Sequence, residues 1–85
     1  MVPTILLVDD ERWLHELIAP VLTAKGFSVE SVEDGKSCIE RLKANPKAYS
    51  IVILDYRLSD IDGAALLTQI LKKDPSQLVL ILSGD

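Results

Sequence analysis

The sequence predicts an α/β domain, a parallel sheet with helices packed on both faces. Three observations point there. Two runs, Thr4-Ile5-Leu6-Leu7-Val8 and Ile51-Val52-Ile53-Leu54, are almost continuously apolar, which is the composition of strands buried on both faces. Each run ends in acid, Asp9-Asp10-Glu11 after the first and Asp55 after the second. Open α/β sheets place their ligands at the carboxyl ends of such strands. Apolar runs begin near Thr4, Phe27, Ser50 and Gln77, with three helical patterns between them. That alternation builds right-handed βαβ units.

The first helix has the clearest pattern. Leu14, Leu17, Ile18, Val21 and Leu22 fall at i, i+3, i+4, i+7 and i+8, one stripe of a helix. Trp13 is expected to pack at the edge of that stripe. Lys25-Gly26 supplies the stop. Pro20 removes a backbone hydrogen bond inside the helix, so a kink is expected there. The second helix spans about Asp34 to Ala44 and buries Cys38, Ile39 and Leu42, before Asn45-Pro46 ends it. The third takes Asp62 as its N-cap. It carries Leu66, Leu67, Ile70 and Leu71, and closes at Lys72-Lys73 ahead of Pro75. Cations in a last turn suit the helix dipole. The fourth apolar run, Leu78 to Leu82, is followed by Ser83-Gly84-Asp85.

At 85 residues the chain has room for one domain. The net charge is −4, and no basic run or basic helix face marks a nucleic-acid surface. A single cysteine, Cys38, excludes an internal disulfide and a Cys-rich zinc site, and suits a reducing compartment. No apolar stretch reaches membrane-spanning length, and no signal-peptide pattern precedes the first strand. A soluble cytoplasmic protein with no membrane contact is expected. There is no G-x-G-x-x-G and no G-x-x-x-x-G-K-[ST], so nucleotide-binding readings are poor.

The acidic residues carry the chemistry. Crowded carboxylates repel and raise each other's pKa unless a cation joins them, so Asp9, Asp10 and Asp55 look built to hold a divalent metal beside a reactive carboxylate. As an ordered set with the Asp55-Tyr56-Arg57-Leu58-Ser59-Asp60-Ile61-Asp62-Gly63 loop and Ser83, they resemble the receiver domain of bacterial two-component response regulators. Ser83 lies 28 positions past Asp55, the usual family spacing, and the resemblance covers the whole chain.

The resemblance implies a flavodoxin-like, doubly wound sheet of order 2-1-3-4, without the family's fifth strand and last two helices. It implies that Asp55 takes a phosphoryl group from a phosphohistidine with Mg²⁺. The partner is a sensor histidine kinase or a histidine phosphotransfer protein. Asp10 and Asp55 are then direct metal ligands, the Arg57 backbone carbonyl a third, and Asp9 acts through water. Ser83 is the switch hydroxyl, and Arg57 and Asp85 modulate dephosphorylation. Such a module is not an enzyme beyond self-catalysed phosphoryl transfer and loss. Two positions depart from the family. Ser59 stands where proline is common, which is expected to loosen the loop slightly. The lysine that ends the fifth strand has no counterpart here, so the domain reads as incomplete at its C-terminus and its switching is expected to suffer.

Other readings are weaker. A haloacid-dehalogenase-like aspartyl phosphatase needs a second Asp two positions after its nucleophile. Arg57 and Glu11 occupy those positions. A receiver-like fragment acting only as an interaction or oligomerisation module is the alternative. His15 reads as a surface histidine, Cys38 as core, Asp60 and Asp62 as turn and cap residues, and Lys72 and Lys73 as solvated cations. The bare fourth strand is expected to drive self-association, as a homo-oligomer through that strand.

Overall fold

The computed structural model describes residues 2–82. Seven elements alternate along the chain: β1 (Thr4–Val8), α1 (Arg12–Ala24), β2 (Ser28–Val32), α2 (Gly35–Ala44), β3 (Ile51–Asp55), α3 (Gly63–Lys73) and β4 (Leu78–Leu82). The four strands form one sheet of order β2-β1-β3-β4, parallel throughout. This is the order that the family resemblance implies. Strand register sets Val8 between Val32 and Leu54, so the residues that follow β1 and end β3 emerge side by side at one edge of the sheet.

Period-two alternation divides the apolar runs between two cores. Leu6, Val8, Val32, Val52 and Leu54 point to one face, with Cys38 from α2 and Leu66 and Ile70 from α3. Ile5, Leu7 and Ile53 point to the other, with Leu22, Phe27 and Val29 against them. The runs are continuously apolar because both faces are covered. Cys38 is fully buried, and burial pushes its thiol up to about 12. Ile39 and Leu42 are partly buried on the same core.

The predicted Asp62 cap is present, and Asp34 caps α2 in the same way. Asp34 accepts the Ser37 amide at 2.7 Å and Asp62 accepts the Ala65 amide at 2.7 Å, each filling one of the donors that a helix start leaves without an intrahelical partner. Gly26 follows α1 at φ +96°. The helix itself runs on through Pro20.

The α1 stripe is only partly covered, and no residue of that helix is fully enclosed. Leu14, Ile18 and Leu22 are half-covered. Leu17 is 62% exposed and Val21 57%, and Trp13 lies open at 59% rather than packed at the stripe edge. The physical reason is visible in the sheet. Leu78 and Leu80, in register with Ile51 and Ile53, are also exposed, so the α1 side of the sheet has no layer over its β4 end among the described residues. His15, half-covered, meets the Ser31 hydroxyl through Nδ1 and ties α1 to β2.

Candidate functional site

Asp9, Asp10 and Asp55 converge. Each offers a carboxylate oxygen, and the three oxygens lie within 4.8 Å of one another. They differ in setting. Asp9 is buried, Asp55 half-buried and Asp10 exposed. The backbone fixes this arrangement. The Asp9 amide donates to the Val32 carbonyl at 3.0 Å, which extends the β1–β2 ladder one residue past Val8. Asp55 ends β3, and its Oδ1 accepts the Arg57 amide at 3.2 Å, turning the chain out of the sheet.

Asp9 is the informative member. Its Oδ1 accepts the Glu11 amide at 2.8 Å. Its Oδ2 is buried and has no hydrogen-bond partner among the described residues. A buried acceptor left unpaired costs about 1–3 kcal/mol, more if it is charged. Burial pushes the Asp9 carboxyl above its ordinary value. The Glu11 amide pulls it back, and the nearby charges of Asp55, Asp10 and Glu11 raise it further. A buried carboxylate with an orphaned oxygen, clustered with two more carboxylates, fits a hard divalent cation such as Mg²⁺, which takes oxygen ligands and keeps several waters. The donor set therefore fits the metal that the sequence implies.

The loop from β3 to α3 frames the site. Arg57 bridges to Asp62 in an antiparallel pair, and the Gly63 amide donates to the Tyr56 carbonyl at 2.7 Å, so the loop folds back on itself. Gly63 allows this close approach. A Cβ there would lie 2.8 Å from the Tyr56 Cα and 3.0 Å from the Asp55 carbonyl oxygen. Tyr56 is held against β4 by its amide, which donates to Leu82 at 3.0 Å. Ser83 and Asp85 lie outside the described residues. Sequence reasoning treated Asp60 as a turn residue only. It accepts two amides from α2, 24 and 25 residues away, a pairing with no local signature.

The chain is similar to known proteins along nearly its whole length. Residues 5–85 match the family described as response regulator receiver domain. The transcriptional regulatory protein GlrR of Escherichia coli is 37% identical over 80 residues, covering 94% of this chain and 18% of that protein. A solved receiver domain from Clostridium thermocellum superposes with a TM-score of 0.91 at 26% identity, covering 96% of this chain and 65% of the other. The response regulator TrrA of Thermotoga maritima, solved with Mg²⁺ and BeF, gives 0.90 at 28% identity, with 98% and 70% covered. The same regulator has been solved in complex with the histidine kinase ThkA, at a TM-score of 0.86, 29% identity and coverage of 96% and 69%. The chain thus spans less than a fifth of GlrR and about two thirds of the solved receivers. No helix among the described residues is long and apolar enough to cross a membrane. With the strand order, the acidic triad and the family match in agreement, the chain belongs to the response regulator receiver domain family.

Proposed function

We propose that Asp55 is the phosphoacceptor of this receiver and that Asp9, Asp10 and Asp55 hold Mg²⁺ beside it. The observation that carries this reading is the buried Asp9 carboxylate, one oxygen of it unpartnered, grouped with the Asp10 and Asp55 carboxylates within 4.8 Å. Asp55 ends the strand next to β1 and is only half-buried, so a donor can reach it from solvent. A carboxylate oxygen of Asp55 attacks the phosphorus of a phosphohistidine. The O–P bond forms as the P–N bond breaks, and the imidazole leaves. Bound Mg²⁺ supplies charge neutralisation for this step. Asp10 and Asp55 would hold the metal directly with the Arg57 backbone carbonyl, and Asp9 would hold it through a water. Arg57, two residues past Asp55, tunes the lifetime of the acyl phosphate, together with Asp85. Ser83 is the switch hydroxyl.

As a receiver domain the chain is a phosphoacceptor signalling module of the two-component kind rather than a turnover enzyme. TrrA's complex with ThkA supports a histidine kinase, or a histidine phosphotransfer protein, as the donor in a cytoplasmic relay. The exposed β4 edge supports self-association of the chain, and its acidic charge disfavours direct nucleic-acid binding.

Intact-mass analysis after incubation with acetyl phosphate and Mg²⁺ tests the assignment. One labile phosphoryl group is expected on the parent chain and none on Asp55→Asn. Label that persists in Asp55→Asn would show that another residue is the acceptor.

A further inference from the structure

The tip of the β3–α3 loop is fastened to a different part of the fold. Asp60 Oδ1 accepts the Gly35 amide at 2.9 Å and Oδ2 accepts the Lys36 amide at 2.9 Å. These are the first two amides of α2, which no intrahelical carbonyl can reach. The helix already has its own cap, Asp34, which takes the third amide, that of Ser37. Asp60 thus adds a bidentate, charge-assisted clamp from outside the helix. The Gly35 amide, with that of Lys36, holds the Asp60 carboxyl below the ordinary carboxylate range. The adjacent Ile61 packs against the core and fills the space that a side chain at position 35 would take: a Cβ there would collide with the Ile61 Cγ2. Two consecutive loop residues therefore key into the start of α2, one by hydrogen bonds and one by shape.

On the other flank, the Arg57–Asp62 bridge and the Gly63–Tyr56 hydrogen bond close the loop onto the end of β3. Between these two anchors lies Ser59, where proline would otherwise restrict the backbone. The looseness expected from that serine is countered by a fastening at the very next residue.

We propose that Asp60 is a positioning residue of the phosphoacceptor site. By pinning the loop tip to the N-terminus of α2, it fixes the backbone of residues 56–58 and so sets how tightly the site holds Mg²⁺. The inference rests on the reading of Asp55 as phosphoacceptor with Arg57 contributing a backbone ligand. It gives a residue 25 positions from Gly35 a role that neither a turn nor a helix cap requires.

The experiment compares the parent 85-residue chain with Asp60→Ala, Asp60→Asn, Asp60→Glu and Asp34→Ala. Mg²⁺ titration by calorimetry and acetyl phosphate labelling across Mg²⁺ concentrations are read alongside the denaturant midpoint. Asp34→Ala removes the internal cap of α2 without touching the loop, so it controls for helix stability. Asp60→Ala is expected to weaken Mg²⁺ binding about tenfold, the low end for loss of a group that supports a metal ligand. It raises the half-saturating Mg²⁺ for labelling more than it lowers the rate at saturation. Asp60→Asn, which keeps one acceptor oxygen, falls between, and Asp60→Glu restores much of the affinity. Asp34→Ala lowers the midpoint and leaves Mg²⁺ binding at the parent value. Equal Mg²⁺ affinity in Asp60→Ala, Asp60→Asn and the parent would overturn the proposal and leave Asp60 a helix cap. Equal losses of affinity in Asp34→Ala and Asp60→Ala would also overturn it, since the effect would then follow helix stability. If Asp60→Ala does not fold, Asp60→Asn decides by the same comparison. A parent chain that neither binds Mg²⁺ nor labels would overturn the phosphoacceptor reading itself, a result distinct from parent activity that the Asp60 variants leave unchanged.

Discussion

Asp9 is buried while Asp10, its neighbour, is exposed, and the alternation of a strand end explains both. The buried carboxylate receives one amide and leaves one oxygen unpaired, so part of the fold's stability is held back until a cation arrives. Binding to the folded state alone stabilises it by about 1.4 kcal/mol when Mg²⁺ is tenfold above its dissociation constant. In a domain of this size that corresponds to a rise in Tm on the order of 5 °C or more. A melting series with and without Mg²⁺ checks this, and Asp10→Ala is expected to lose most of the rise while still folding, because its side chain is exposed. An undiminished rise in Asp10→Ala would remove Asp10 from the ligand set. Trp13 offers an optical reading of the same titration. Its indole N–H donates to the Glu11 carboxylate, and the Glu11 amide donates to Asp9, so a change at Asp9 is two hydrogen bonds from the fluorophore.

Among the elements, the loop after β3 is the least tolerant of added volume. Gly63 meets backbone at Tyr56 and Asp55, and backbone cannot rotate aside as a side chain end can. Gly63→Ala is therefore expected to cost about 1–3 kcal/mol, as overpacking does elsewhere. It should also weaken Mg²⁺ binding, because the displaced carbonyl belongs to Asp55. A denaturant midpoint and Mg²⁺ affinity both at parent values would show that the loop has slack. This loop also marks the limit of what the sequence reveals. The strands β1 and β3 were legible because continuous apolar runs have one economical home, between two covered faces. The cap Asp62 was legible because it acts within three residues of its own position. The convergence of Asp10 and Asp55 followed from the strand order that the family resemblance implies, which sets β1 beside β3. Asp60 was not legible, because its partners are remote in sequence and an Asp before Ile-Asp-Gly looks like ordinary turn chemistry. The exposure of Leu17 and Val21 was not legible either. Periodicity shows that a helix has an apolar side and says nothing of whether a layer exists to cover all of it.

For the whole molecule, the two sheet faces are unequal. Among the described residues, the α2–α3 side encloses nine buried residues and the α1 side three. On the thin side, Trp13, Leu17 and Val21 form a row at i, i+4, i+8 along α1, and Leu78 and Leu80 lie bare on β4. Each of these side chains, if fully buried, would contribute on the order of 1.5–3 kcal/mol, so as a group they rival the total stability of a small domain. Among the described residues β4 also ends the sheet order, and an outer strand edge presents N–H and C=O groups that template pairing with another chain. Both features favour association of the 85-residue chain with itself through β4 and the adjoining apolar face. Size exclusion with light scattering at tens of micromolar is expected to show dimers or larger species. Leu80→Lys places a charge in the centre of that strip and is expected to shift the population toward monomer, while leaving labelling of Asp55 intact, since Leu80 pairs with Ile53 rather than with the acidic site. Hydrogen exchange separates the two possible contributions. If strand pairing dominates, amides of residues 78–82 gain protection as concentration rises. If the side-chain face dominates, protection is independent of concentration while Leu80→Lys still dissociates the oligomer. A monodisperse monomer with those amides already strongly protected would mean that the exposed leucines are tolerated in water and that the fold holds its outer strand unaided.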